Sequence, residues 1–367
     1  MSGERVVFNG KFLSGATKTG VHRVALELIV ALDRLLEQRD LERDVDWVLM
    51  CPRDADPPPP LKRFRVKVGG CFTWQLWEQF DLPRLSGGDL LVNLCNLAPL
   101  SKRRSIAMIH DAQTFRSPNS YPKSFAAYYQ FALPIIGRRA ARVLTVSEFS
   151  KQDLDRYGVA DPAKTTVIYN GVDHVAAAEP DGAVIDRLGL EGTGFAVAFA
   201  SLQAYKNVGV LFEAFARPEL ADFRLVFVGR GEASEFAAAG HVVPPNVIFA
   251  GRVSDAELAA LFDRAVCLAF PSTTEGFGLP PLEAMASGCP AVVAPCGAVP
   301  EVCGDAAAYA PPHDATAWAA AIRRLAFEPG ERAARVQAGR RQAAKYTWDR
   351  SAERLFEVIQ EVRRQRG

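Results

Sequence analysis

Two doubly wound α/β domains are the architecture the sequence predicts, on three observations. Short apolar runs rich in Val, Ile and Phe alternate with segments of helical period along nearly the whole chain. The alternation breaks once, at a Gly- and Ala-rich stretch around residues 175–193, and then resumes. The length, 367 residues, exceeds what one hydrophobic core usually fills, so two domains of roughly 150 to 200 residues are expected.

The first series of runs covers residues 5–9, 47–51, 90–94, 106–109, 143–146 and 167–169; the second covers 195–200, 224–228, 247–250, 267–270 and 291–294. Strands buried on both faces read as continuous apolar runs, and parallel pairing needs a crossover, usually a helix. Segments 207–216 and 255–263 have the period for such crossovers. Four prolines at 57–60 form a rigid surface linker inside the first domain. The tail carries Leu355, Phe356, Val358, Ile359 and Val362, a helical spacing, and this helix, about 351–367, is placed to pack back on the first domain. The resulting division is 1–173, a hinge or linker at 174–192, and 193–350.

Charge is balanced, with 43 Lys plus Arg against 42 Asp plus Glu, which argues against a nucleic-acid binder. No apolar run reaches the 18 or more residues of a spanning helix, and the start of the chain lacks the apolar core of a signal peptide, so a cytoplasmic location is expected. The seven cysteines form no C-x-x-C pair and read mostly as small apolar fillers. The five histidines are scattered, so no structural metal is expected; His22 and His174 read as surface or hinge residues.

Ligands of open α/β sheets bind beyond the carboxyl ends of the strands. The loop after 267–270 carries the densest chemistry: Glu275-Gly276-Phe277-Gly278-Leu279-Pro280-Pro281-Leu282-Glu283. The glycines let backbone amides approach a ligand, and the prolines suit the first turn of a helix. Amides at a helix N-terminus make a phosphate site. A carboxylate beside such a site serves hydroxyl donors instead, a sugar or a ribose; the plainer reading of Glu283, placed in the helix's first turn, is that it complements the helix dipole.

That nine-residue string resembles the E-x7-E signature of the retaining glycosyltransferases of family 4, which have the GT-B fold of two Rossmann-like domains facing across a cleft. The resemblance extends over nearly the whole chain. Lys206-Asn207 is similar to the family's phosphate-binding Lys, Asn170-Gly171-Val172-Asp173 to its N-G-V-D, Ile109-His110-Asp111 to its H-D and Val146-Ser147-Glu148-Phe149-Ser150 to its V-S-x-x-S. Thr19-Gly20-Val21-His22-Arg23 resembles the T-G-I-x-R that opens the first helix in bacterial mannosyl- and rhamnosyltransferase-like members.

The resemblance implies a role for each matching position. Glu275 would hold donor-sugar hydroxyls, Glu283 ribose hydroxyls, and the amides of Gly276, Phe277, Gly278 and Leu279 the diphosphate. Lys206 would neutralise the leaving group, His110 would stand near the donor sugar, with a satisfied histidine at a strand end as its alternative, and Gly20 would leave room at the first helix. Many relatives carry an Arg five residues before the Lys; here that position is Ser201. Arg230 is the candidate substitute, with a solvated loop residue as its alternative, and Arg252 is a candidate neighbour of the base.

The resemblance further implies a metal-independent, retaining transfer of sugar from a nucleotide diphosphate donor, with no cofactor. The first domain, 1–173, would be the acceptor side and the second, 193–350, would bind the nucleotide sugar; the acceptor would be a saccharide or a polyprenyl-diphosphate-linked saccharide in bacterial surface polysaccharide synthesis. The rivals are a catalytically silent nucleotide-sugar-binding subunit and a GT-B sugar-nucleotide epimerase. Segment 101–142 holds eight basic residues (Lys102, Arg103, Arg104, Arg116, Lys123, Arg138, Arg139, Arg142) with one acidic, Asp111, and adds Phe125, Tyr128, Tyr129 and Phe131. Such a surface suits contact with the inner face of a membrane or a lipid-linked diphosphate; its alternative is a solvated basic face over a core-packed helix.

Overall fold

The computed structural model describes residues 4–15 and 19–365, so the ends of the chain and residues 16–18 lie outside it. Two compact units emerge: one runs to Gly171 and resumes at Thr347, the other is continuous from Val172 to Tyr346.

The sheet of the first unit has seven parallel strands: β1 (Arg5–Asn9), β2 (Asp46–Cys51), β3 (Phe64–Val68), β4 (Leu90–Asn93), β5 (Ser105–Met108), β6 (Arg142–Thr145) and β7 (Thr165–Val167). Their order is β3-β2-β1-β4-β5-β6-β7, reversing direction of growth between β1 and β4. Helix α1 (Gly20–Gln38) enters from the loop after β1; at its start His22 Nδ1 accepts the Thr19 N–H at 3.4 Å. It buries Val24, Leu28, Ile29 and Leu32. Helix α2 (Lys123–Arg139) crosses from β5 to β6 and buries Ala132, Leu133 and Ile136. The last helix, Trp348–Arg364, packs on α1, burying Leu355, Val358, Ile359 and Val362. It is tied down by ion pairs from Arg34 to Asp349 and from Arg39 to Glu353, and by Arg363, which reaches Glu4 at 2.9 Å and Glu42 at 2.8 Å.

The second unit has six parallel strands: β8 (Phe195–Phe199), β9 (Arg224–Val228), β10 (Val247–Gly251), β11 (Cys267–Phe270), β12 (Ala291–Val293) and β13 (Ala308–Tyr309). Their order is β10-β9-β8-β11-β12-β13, with the reversal between β8 and β11. Helices α3 (Gly209–Phe215) and α4 (Leu279–Ala286) leave from the loops after β8 and β11, the two strands flanking that reversal. Edge-to-face contacts of Phe212 with Phe227 and Phe236, at 5.4 and 5.6 Å, fill the core under α3.

One expectation is corrected, and two strands are added that no apolar run announces. Residues 174–192 are not a linker but part of the second unit: they hold a short helix, Ala183–Arg187, with Val184, Ile185 and Leu190 buried, and Asp181 N–H donates to Ala256 O at 3.0 Å. Their alanines and glycines lower the mean apolarity without removing the three anchors. Strand β3 was hidden because it alternates apolar with Arg65 and Lys67, the charged pattern of an edge strand, rather than running apolar. Strand β13 has two residues, too few for a pattern.

Candidate active site

The loops after β8 and β11 meet at the switch point of the second sheet, where backbone bonds lock them together. Thr273 N–H donates to Tyr205 O at 2.8 Å. Asn207, with φ at 53°, donates from Nδ2 to Pro271 O at 3.2 Å and to Pro312 O at 2.5 Å. Asn tolerates that left-handed backbone better than other side chains that could cross-link here.

This clamp brings Lys206 to Glu275, Nζ to Oε1 at 2.7 Å. Both are largely but not wholly enclosed, the side chains retaining 26% and 14% exposure. The ammonium stands 5.1 Å from the Tyr205 ring centroid and 5.6 Å from that of Phe270, so two aromatic faces hold the cation. An ammonium has three donors, of which this pair uses one. Glu275 is fixed from behind as well: Ala298 N–H donates to its carbonyl at 3.0 Å. Gly297, at φ 62°, lies so close that a Cβ there would meet Glu275 N at 2.5 Å and O at 2.6 Å.

Past Glu275 the chain buries Gly276, Phe277 and Gly278, with the Phe277 ring edge-on to Tyr346 at 5.8 Å. Gly278 caps α4 in the left-handed conformation, φ 96°. Pro280 and Pro281 in the first turn have no N–H, so the open amides of this helix start narrow to Gly278 and Leu279, the half-buried first helical residue. Glu283 is the fifth residue of α4 and not in its first turn, because the helix begins at Leu279. Its carboxylate therefore lies beyond the orphan amides and is directed to other partners. One is His174, whose Nε2 stands 3.2 Å from Glu283 Oε1, with both side chains about nine-tenths buried. His174 is thus neither a surface nor a hinge residue; it lies against the site, on the turn Asp173–Ala177.

The remaining candidates stand elsewhere. Ser201 Oγ accepts the Gln203 N–H at 3.2 Å, shaping the loop after β8. Arg230 and Arg252, both exposed, line an open cavity of about 450 Å³ at the carboxyl ends of β9 and β10, together with Glu232 and Glu235. In the first unit, Gly20 is exposed with open space where a Cβ would project. His110 follows β5 and is buried; its Nε2 pairs with Leu94 O at 2.9 Å, and Asn96 Oδ1 accepts its backbone N–H at 2.8 Å. Burial pushes its pKa down to about 4 against the Leu94 carbonyl, which opposes the shift, with nearby His22 adding to it. The ring is neutral at ordinary pH and one nitrogen is engaged.

Residues 19–175 match the family described as Glycosyltransferase Family 4, and residues 194–327 match Glycosyl transferases group 1. The chain belongs to these glycosyltransferases. The O-antigen chain mannosyltransferase RfbU of Salmonella typhimurium is 29% identical over 85% of this chain and 88% of its own length. A D-inositol 3-phosphate glycosyltransferase of Salinispora arenicola is 31% identical over 72% of this chain and 65% of its own. Among solved structures, Anabaena HepE in complex with UDP-glucose superposes with a TM-score of 0.69 at 18% identity, covering 97% of this chain and 99% of that one. The fold is GT-B, and the chain is a glycosyltransferase enzyme.

Two neighbours of this candidate site escape a reading of the sequence. His174 and Glu283 are 109 positions apart, and Gly297 stands outside the E-x7-E string, in Cys296-Gly297-Ala298. A glycine between a strand and a helix signals a turn, and nothing local says what it packs against. Segment 101–142 also looks different once folded. Lys102 is buried, donating to Ser86 Oγ at 3.2 Å and Gly87 O at 2.6 Å; Arg104 pairs with Glu4 at 2.9 Å and Arg116 with Asp153 at 2.7 Å. Arg139 donates to Leu100 O at 2.6 Å and Arg142 lies 3.7 Å from Glu361. Arg103, Lys123 and Arg138 are the exposed cations of the segment whose side chains have no partner of this kind among the described residues, and Phe131 is 62% exposed on α2.

Proposed function

We propose that the enzyme moves a hexosyl group, mannosyl in the first instance, from a nucleotide diphosphate sugar to a saccharide or lipid-linked saccharide hydroxyl, with retention and without a metal ion. The observation that supports it most is the Lys206–Glu275 pair at the switch point of the second sheet, beside the start of α4. A cation, two open amides and a helix dipole supply the positive charge a departing diphosphate requires. Glu275 reaches past that anion to the sugar, since a carboxylate is repelled by phosphate and accepts from hydroxyls. Arg230 and Arg252 frame the nucleoside end. The acceptor oxygen attacks the anomeric carbon from the face the diphosphate leaves, and the leaving phosphate oxygen takes the acceptor proton. Structural likeness to a protein solved with UDP-glucose, and sequence likeness to an O-antigen chain mannosyltransferase, agree with a nucleotide-sugar donor and a surface saccharide.

The setting in this reading is the cytoplasm, at the inner face of the membrane. Among the described residues no helix is long and apolar enough to cross a membrane. Lys123, Arg138, Arg103 and Phe131 would make the peripheral contact. Reversing the three cations to Glu should abolish sedimentation with anionic vesicles while nucleotide binding persists; unchanged sedimentation refutes the contact.

The central test is release of nucleoside diphosphate from a panel of nucleotide sugars, with and without saccharide acceptors and with and without chelator. Acceptor-dependent release that survives chelation, with an unchanged anomeric configuration in the product, is expected. Release abolished by chelator and restored by magnesium or manganese refutes the metal-independent part, and an inverted product refutes retention. The two curated relatives differ in acceptor: one acts on an O-antigen chain, the other, by its name, on a phosphorylated inositol.

A further inference from the structure

The loops after β8 and β11 are cross-linked at two points. Tyr205 O accepts the Thr273 N–H at 2.8 Å and the Thr273 hydroxyl at 3.2 Å, and two residues on the Asn207 side-chain amide donates to Pro271 O at 3.2 Å. The linked positions, 205 with 273 and 207 with 271, step in opposite directions along the two loops, so Lys206 stands between the two cross-links. The other N–H of the same amide goes to Pro312 O at 2.5 Å, in the loop after β13. One side chain thereby ties three strand-end loops together, and both of its donors are used in doing so.

Asn207 also turns the chain. It is the left-handed residue between the turn Ala204–Lys206 and α3, at φ 53° and ψ 34°, and its own N–H closes on Ala204 O at 3.1 Å. Glycine would adopt that backbone freely and offer no donor, whereas alanine would be strained there and offer none either. The two amide bonds are what asparagine adds to the backbone conformation.

What the cross-links enclose is a lysine. Its ammonium ends a flexible four-carbon stem, so the charge moves unless something fixes it. The Tyr205 and Phe270 rings flank it here, and Phe270 directly precedes Pro271, so the bond from Asn207 to Pro271 O sets the spacing between Lys206 and that ring. Residues 200–207 carry one cation, Lys206, because the position five residues earlier is Ser201, whose hydroxyl accepts the Gln203 N–H. A lone ammonium is most effective when it is held still, since fixed charge stabilises a growing anion without having to reorganise. We propose that Asn207 is a positioning residue for the leaving diphosphate: it acts through Lys206, fixing the ammonium by its bonds to Pro271 O and Pro312 O. The inference rests on the reading of Lys206 as the cation of the leaving group and adds how that cation is held.

Full-length Asn207→Gly keeps the left-handed backbone and loses the amide, which makes it the informative variant; Asn207→Ala loses both. UDP, GDP, ADP and dTDP are titrated calorimetrically, and the tightest is carried through the variants together with its parent nucleoside, whose weaker binding is followed by saturation-transfer NMR. Transfer at saturating donor is measured on the same preparations. Asn207→Gly should weaken the diphosphate about fivefold, leave the nucleoside within about twofold and lower saturated transfer about fiftyfold, because the fixed charge counts most as the bond breaks. Asn207→Ala should be at least as impaired. In the Lys206→Ala background, Asn207→Gly should change diphosphate affinity and transfer by less than about twofold, since the ammonium it positions is gone. Native behaviour of Asn207→Gly would show that backbone conformation is all the asparagine supplies, and overturns the proposal. Parallel loss of diphosphate and nucleoside, as from a variant that fails to fold, overturns it as well, and so does a loss in the double variant that multiplies those of the single ones. Lys206→Ala separates the two levels: impaired binding there beside an intact Asn207→Gly overturns the positioning role alone, whereas unchanged binding and transfer in Lys206→Ala overturns the reading of Lys206 beneath it.

Discussion

His110 should make the stability of this enzyme fall measurably in mild acid. In the folded chain its imidazole is held at about 4, against about 6.5 when the chain is open, because burial disfavours the imidazolium. Between those values the unfolded chain binds a proton that the folded chain refuses, so stability is full above about 6.5 and declines as pH falls towards about 4. The whole difference corresponds to about 3 kcal/mol, and about 2 kcal/mol of it is lost by roughly pH 5. His110→Gln retains an amide nitrogen that can donate to Leu94 O but cannot titrate. Urea unfolding of both proteins at about pH 7.5 and pH 5 gives the answer as a difference of differences: the native chain should lose about 2 kcal/mol more than the variant. Equal losses would show that His110 is as easily protonated in the fold as in open chain, and the account of its burial would fail. The same argument constrains catalysis, since a ring held at about 4 is neutral throughout the working range and contributes no acid limb near 6.5 to the rate profile.

Other changes divide the labour at the second switch point. Glu275→Gln should leave nucleoside diphosphate affinity intact and lower transfer by about 10- to 1000-fold, the effect of losing roughly 1.4 to 4 kcal/mol of transition-state stabilisation; calorimetry and rates on one preparation test it, and lost affinity with intact turnover refutes it. Glu283→Gln should do the reverse, weakening a ribose diphosphate more than its 2′-deoxy analogue, and His174→Ala should move in the same direction because it contacts Glu283. Lys206→Ala should cut diphosphate affinity about tenfold and transfer further, as expected of a charge-assisted bond that strengthens on the leaving group; unchanged values would place the diphosphate elsewhere. Gly297→Ala should depress transfer without unfolding the chain, because the added methyl must displace the backbone of Glu275; wild-type rates would show that the loop yields freely.

The strands legible in the sequence are those that run unbroken in apolar residues, which burial on both faces requires and which the edge strand β10 also shows. Arg5–Asn9, Arg224–Val228 and Cys267–Phe270 begin and end at the expected residues. Strand β3 was not legible, because half of an edge strand faces water and its residues are chosen for that. The E-x7-E string could be found because a phosphate-approaching loop needs glycines at fixed offsets. Its setting could not: the Lys206–Glu275 pair spans 69 positions and the Asn207 amide joins the loops after β8, β11 and β13, contacts created by the order of strands. Burial was equally silent for the basic segment, where Lys102 and Arg116 looked like surface charge and are engaged in the fold.

The division of the first unit between residues up to Gly171 and those from Thr347 has a consequence for biosynthesis. A ribosome completes all of Val172–Tyr346 before it makes the helix that α1 needs. The second unit is continuous and carries its whole core, so it is the part able to fold during translation. Until Trp348–Arg364 emerges, α1 keeps an uncovered face and Glu4 and Glu42 lack Arg363. Chains truncated after Tyr346 and released from the ribosome should therefore hold a protease-resistant second unit and a first unit that is still cleaved. Maturation of the first sheet is thereby timed by the last segment of the fold to be synthesised.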